Sequence, residues 1–132
     1  MVLSREVKSN PAAHLFWYGA VIGIFHAEVQ HSGAHSRDLT WKSMDFLWVR
    51  WLGVVPGCSF SSKQAKLPQV GFVEDLDDFA FSFLDPALMI RGCHLIPAFA
   101  EGKTAKLLST RGPTEARSTS ETDDWTNYYV NM

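Results

Sequence analysis

The sequence predicts a mainly β domain: a small, partly open barrel or sandwich of five or six strands with one short helical turn. Three observations lead there. Runs such as FWYGAVIGIFHAEVQH and FLWVRWL are dense in aromatic and β-branched residues, which suit a pleated, half-buried surface. Short apolar runs are separated by Gly, Pro, Asp and Ser clusters, with no internal repeat and no βαβ alternation. The chain of 132 residues is 46% hydrophobic and holds five Trp, nine Phe and three Tyr, which is material for one core in one domain.

Residues 1–13, ending in Ser9-Asn10-Pro11, read as a flexible N-terminal arm, and residues 14–132 as a single β-rich domain. From Phe16 the text is strand-like. Alternation puts Val21, Gly23, Phe25, Ala27 and Val29 on one face and Ile22, Ile24, His26, Glu28 and Gln30 on the other. The second face turns polar at His26, as in a strand that enters buried and leaves half-exposed. Gly33 to Arg37 is a turn. Phe46 to Leu52 is nearly continuous apolar text, with Arg50 the exception, and fits a central strand stopped by Pro56-Gly57.

After a polar connection over Lys63 to Pro68, a short strand is expected at Gln69 to Val73, then the acidic turn EDLDD and a strand at Phe79 to Phe83. Asp85-Pro86 has the grammar of a helix start, since Asp accepts bonds from first-turn N–H groups and Pro tolerates the first position. Gly92 ends that turn. Cys93 to Phe99 returns to a strand, with Pro97 favouring an edge or bulge. Glu101 to Asp124 is so poor in apolar residues that a mobile loop is expected over 101–124. Trp125, Tyr128, Tyr129 and Val130 form a final strand, read as a truncated C-terminal strand because no turn follows before Met132.

Charge narrows the function classes. The formal net charge is −2, and Glu74, Asp75, Asp77, Asp78 and Asp85 follow one another without a base between them. Strong phosphate binding needs clustered Lys and Arg, and no such cluster is visible. The longest apolar stretch, Leu15 to Val29, is broken by Gly19, Gly23, His26 and Glu28, short of the roughly 18–20 apolar residues of a spanning helix. Arg5, Glu6, Lys8 and Pro11 do not read as a signal peptide. An intracellular chain without a membrane partner is expected, with Cys58 and Cys93 as buried thiols rather than a disulfide.

Catalytic constellations are sparse. His26, His31, His35 and His94 match no zinc spacing, and the Glu74, Asp77, Asp78 group lacks the glycine and alternation of a calcium loop. A metal-dependent hydrolase built on these groups is the enzymatic alternative. Cys93 and His94 are adjacent, so on a strand they face opposite ways. No G-x-S-x-G and no Gly-rich phosphate loop is present. The expectation is a non-enzyme with no cofactor, no metal site and no catalytic residue.

The aromatics carry more weight. Trp17, Tyr18, Trp41 and Trp51, with Arg50 and Lys42, form the candidate interaction surface. These aromatics together with Trp48, Trp125, Tyr128 and Tyr129 could supply a cage for a methylated lysine or a stacking platform for bases, although in small β domains most aromatics belong to the core. A nucleic-acid reading relies on Lys42, Arg50 and Lys63.

The segments HLFWYGAVIGIFHAEVQHSG, MDFLWVRWLGVVPG, LPQVGFVEDLDDFAFSFLDPALMIRGCHLIPAFAEG and DDWTNYYVNM together resemble the β-rich C-terminal region of many basidiomycete proteins. That region in turn is similar to the tail of Plavaka-type transposases, in the CACTA-like group of cut-and-paste DNA transposons. The similarity spans residues 14–132. In that family the catalytic carboxylates lie upstream of this region, in a transposase domain that this chain does not contain, and relatives continue past the YYVNM strand. The resemblance implies a fungal, transposon-derived accessory domain, standalone or truncated, whose partner is the transposase or chromatin and whose location is intracellular, including the nucleus. Its alternatives are a nucleic-acid-binding β-barrel that assists a transposase and a decayed fragment without activity.

Overall fold

The computed structural model describes residues 1–4, 14–57, 66–117 and 120–132. Its strands are β1 (Val2–Leu3), β2 (Phe16–Val29), β3 (Lys42–Val54), β4 (Gln69–Phe72), β5 (Phe81–Leu84), β6 (His94–Pro97), β7 (Lys103–Thr104), β8 (Asp124–Trp125) and β9 (Tyr128–Asn131). The main sheet runs β1-β2-β3-β4-β9-β6, with β5 added as a seventh strand on β3. It curls into an open half-barrel, and β7 with β8 makes a separate two-stranded ladder. All the strand pairings are antiparallel. The mainly β expectation is met, and the expected helical turn is the 3-10 helix Pro86–Leu88. There the Asp85 side chain accepts from the Ala87 N–H at 2.8 Å, and Pro occupies the first turn. A second 3-10 turn, Phe99–Glu101, stands where the strand from Cys93 was expected to reach Phe99.

The long β2–β3 hairpin is the frame. Tyr18 lies opposite Leu52 and Ala20 opposite Arg50, but Val21 faces Val49 while Gly23 faces Trp48. Ile22 is thus the extra residue of a β-bulge, which bends the strand and shifts its alternation. Strict alternation grouped Val21 with Gly23 and Phe25; the bulge corrects this and sends Val21 to the opposite face. Gly23, Phe25 and Ala27 then lie opposite Trp48, Phe46 and Met44.

One face of this frame holds the core, with Tyr18, Leu52, Val70, Val130 and Met1 buried together and Phe16, Val54, Phe72, Cys93, Leu95 and Tyr128 packed against them. Further along the same face Phe25, Phe46, Trp48 and Phe83 form an aromatic cluster. Phe25 stacks on Phe46 at 5.5 Å, and the Phe83 ring stands edge-on to Phe46 at 5.1 Å and to Trp48 at 5.0 Å. β6 is the last strand on the path, where Pro97 withholds no ladder bond from a further neighbour. β9 sits between β4 and β6, with Val130 fully buried.

Two composition-based expectations give way. The start of the chain is not a free arm over residues 1–4: β1 pairs with β2, Met1 and Val2 are buried, and the Ile90 N–H donates to the Met1 carbonyl at 3.0 Å. Residues 5–13 of the expected arm lie outside the described residues. The segment expected as a mobile loop over 101–124 is packed in its described part, with Leu108, Arg117 and Asp124 buried. Its anchor is ionic. Arg50 donates to Asp124 Oδ1 at 3.1 Å and Oδ2 at 3.0 Å, and Arg117 donates to Oδ2 at 3.0 Å. Arg117 also donates to the Thr110 and Gly112 carbonyls, while the Arg50 guanidinium lies 3.9 Å from the centre of the Phe72 ring. Counting apolar residues misses a segment held by charge-assisted bonds rather than by its own core.

Candidate functional site

Beside the core, the sheet divides at Trp51. β5 pairs with β3 up to Arg50, and β4 pairs with the same edge of β3 from Leu52. Trp51 stands between them: its N–H donates to the Ala80 carbonyl at 2.9 Å, and its carbonyl accepts from the Val73 N–H at 3.1 Å. The connection from Val73 to Ala80 is therefore fastened at both ends to one residue. Within it the Asp77 carboxylate accepts from the Phe79 N–H at 2.8 Å, the Asp77 N–H donates to the Glu74 carbonyl, and the Ala80 N–H donates to the Asp77 carbonyl. This is an Asx-type turn, the local use for which Asp is favoured in loops. It leaves Asp78 exposed and Phe79 81% exposed.

Between that turn and the hairpin lies a groove of about 630 Å³, lined by Trp17, Trp51, Asp78, Phe79, Phe81 and Ser82 among others. Its volume falls in the range of small-ligand sites, roughly 300–1,000 Å³. Trp17 and Trp51 meet at 6.0 Å with ring planes 73° apart, so two walls stand near a right angle. The Trp51 indole N–H donates to Ser82 Oγ at 2.6 Å, which fixes the ring's orientation. Gly19 lies opposite Trp51 across the hairpin, and a Cβ there would come within 3.2 Å of the indole. The glycine gives the ring room to lie over the backbone.

The candidate interaction surface is divided by the structure. Trp17 and Trp51 come together in the groove. Tyr18 and Arg50 are completely buried, which removes them from any surface: burial pushes the Tyr18 hydroxyl up to about 12, with Cys93 adding to the shift, and Arg50 is committed to Asp124. Trp41, 67% exposed, and Lys42 lie beyond the outer end of the hairpin and at its first β3 residue, away from the groove, and Lys42 pairs with Asp38 at 2.8 Å. Lys63 and Cys58 lie outside the described residues, and Cys93 is a half-buried free thiol.

The remaining polar candidates have local partners. His26, exposed, lies 2.7 Å from Asp45 and 2.9 Å from Ser43 Oγ, and the bond to Asp45 raises its pKa. In the acidic turn, Asp75 accepts from both the N–H and the hydroxyl of Ser109 at 2.6 Å, which lowers its pKa and ties the turn to the 105–110 segment. Among the described residues no group of three or more His, Cys, Asp and Glu is placed to hold a metal ion, and no helix is long and apolar enough to cross a membrane.

Phe79, Phe81, Asp78 and Ser82 are groove residues that the sequence places in an acidic turn and a plain strand. Their signal was present in DLDDFAFS, where an Asx-turn residue is followed two positions later by an aromatic that the turn projects outward. No family model, no curated protein and no solved structure matches this chain.

Proposed function

We propose that this chain is a non-catalytic interaction domain of a transposon-derived protein, acting in the nucleus on a segment of a protein partner such as the transposase or a chromatin component. The lineage rests on the resemblance carried by FLWVRW, GFVEDLDDFAFSFLDP and IRGCHLIPAF. The molecular role rests on one observation: the groove presents Trp17, Trp51 and Phe79 to solvent on a rigid framework, and aromatic anchors of this kind dominate protein recognition. The electrostatics argue against the nucleic-acid alternative. Arg50 is buried, Lys42 is engaged by Asp38, and the groove rim carries Asp78, so phosphate would meet repulsion rather than the cationic track it needs.

The test is selection of a displayed random-peptide library on the folded protein. Peptides that bind at micromolar concentration and weaken about tenfold or more on Trp17→Ala are the expected result. The absence of any enriched peptide, or enriched peptides indifferent to Trp17→Ala and Trp51→Phe, overturns the reading. Tight, steeply salt-dependent binding of a DNA duplex in a parallel titration would replace it with the nucleic-acid one.

A further inference from the structure

Resting on the interaction reading above, we infer that the groove at Trp51 takes a cationic side chain, specifically a methylated lysine of the partner segment. Three properties of the groove converge on that chemistry. Its walls are aromatic and non-coplanar, with Trp17 and Trp51 at 73° and Phe79 at the rim. A methylated ammonium is attracted by ring faces from more than one side. The Ser82 hydrogen bond and the double backbone anchoring of Trp51 hold the second wall in place before a ligand arrives, so little ordering is required on binding. The polar lining is Asp78, Ser82 and His14; Ser82 is taken by the Trp51 indole and His14 Nδ1 lies 3.0 Å from the Phe16 carbonyl, which leaves Asp78 as the carboxylate of the groove. Among the described residues no lysine or arginine lines the groove.

This charge pattern separates the candidate ligands. An apolar side chain would gain from the rings and nothing from Asp78. An unmethylated ammonium is compact and strongly hydrated and loses its water poorly to indole walls. Methylation keeps the charge and lowers that loss. A choline headgroup offers the same cation, but its phosphate would stand against Asp78, which favours a lysine side chain.

The test uses small probes followed by the indole N–H resonances of Trp17 and Trp51 in the full-length protein: Nα-acetyl-trimethyllysine methylamide, its uncharged carbon isostere, the unmethylated lysine, and phosphocholine. The trimethyllysine probe is expected to shift both indoles and to bind about tenfold more tightly than the carbon isostere, with phosphocholine weaker than trimethyllysine. Asp78→Asn, a change at an exposed position, should narrow the preference over the isostere while leaving the spectrum folded. Equal binding of cation and isostere, tighter binding of phosphocholine, or unmoved Trp17 and Trp51 indoles at millimolar probe overturns the inference. Peptides from the random library carry only unmodified lysine. A groove that binds them through Trp17 yet ignores the trimethyllysine probe defeats this inference and leaves the interaction reading standing, whereas loss of both defeats the two together.

Discussion

Asp124 fastens the 101–124 segment to the sheet. It is buried between two guanidinium groups, those of Arg50 and Arg117. Burial alone would raise its pKa, but the hydrogen bonds and charges of Arg50 and Arg117 outweigh that and hold the carboxyl below its usual range. A carboxylate with a depressed folded-state pKa stabilises the fold at pH values above its unfolded pKa, about 3.9, and that contribution fades as pH falls through the lower folded value. Asp124→Asn keeps the shape and removes the charge, leaving two buried cations uncompensated, a change worth about 3–5 kcal/mol. Urea midpoints measured across the acid range should show the wild type weakening below about pH 4 and the variant both less stable at neutral pH and flatter below it. A variant within 1 kcal/mol of wild type would mean that the triad contributes nothing net.

Strands and turns were legible wherever one local rule acted alone. β3 announced itself by continuous apolar text, and the Pro86–Leu88 turn by its Asp-Pro start. What the text of β2 did not reveal was the bulge at Ile22, because an inserted residue looks like every other member of an alternating run and is exposed only by its partner strand. The division of the sheet at Trp51 was hidden for the same reason: two strands on one edge of β3 are a fact of long-range pairing. Glycines show how element packing departs from local propensity. Gly53 and Gly71 are cross-strand partners between β3 and β4. A Cβ on Gly71 would come within 2.7 Å of Asn127 Oδ1 and 3.1 Å of the Thr126 carbonyl, whereas one on Gly53 meets nothing within 4 Å. Gly71→Ala should therefore force β4 away from the residues before β9 and cost about 1–3 kcal/mol. Gly53→Ala should leave the thermal midpoint unchanged or slightly higher. Equal effects from the two would show that the β4 side is as open as the β3 side.

At the scale of the molecule, the half-barrel has an apolar centre and a polar outwork joined by Arg50. The centre is β3, β4 and β9 with Leu52, Val70 and Val130 buried. The outwork is the described part of 101–124, which has a small hydrophobic anchor in Leu108 and is otherwise held by Asp124, by the Asp75–Ser109 bonds and by the paired Thr114 and Arg117 backbone groups. Composition could not foresee this, since Ser, Thr and Gly text is ordered by what distant residues, here Arg50 and Asp75, offer it. The architecture predicts two tiers of amide hydrogen exchange. Amides of β3, β4 and β9 around Leu52, Val70 and Val130 should exchange slowest. Those from Ala27 to Lys42, at the exposed outer end of the hairpin, should exchange first, with the Thr114, Arg117 and Ser109 amides between. In Asp124→Asn the Thr114 and Arg117 amides should fall to the fast tier together, because Arg117 is anchored on Asp124, while Ser109, held by Asp75, keeps its intermediate rate and the central tier keeps its rank above both. Uniform loss across both tiers would instead mean that the outwork and the centre open together and that Arg50 couples them into one cooperative unit.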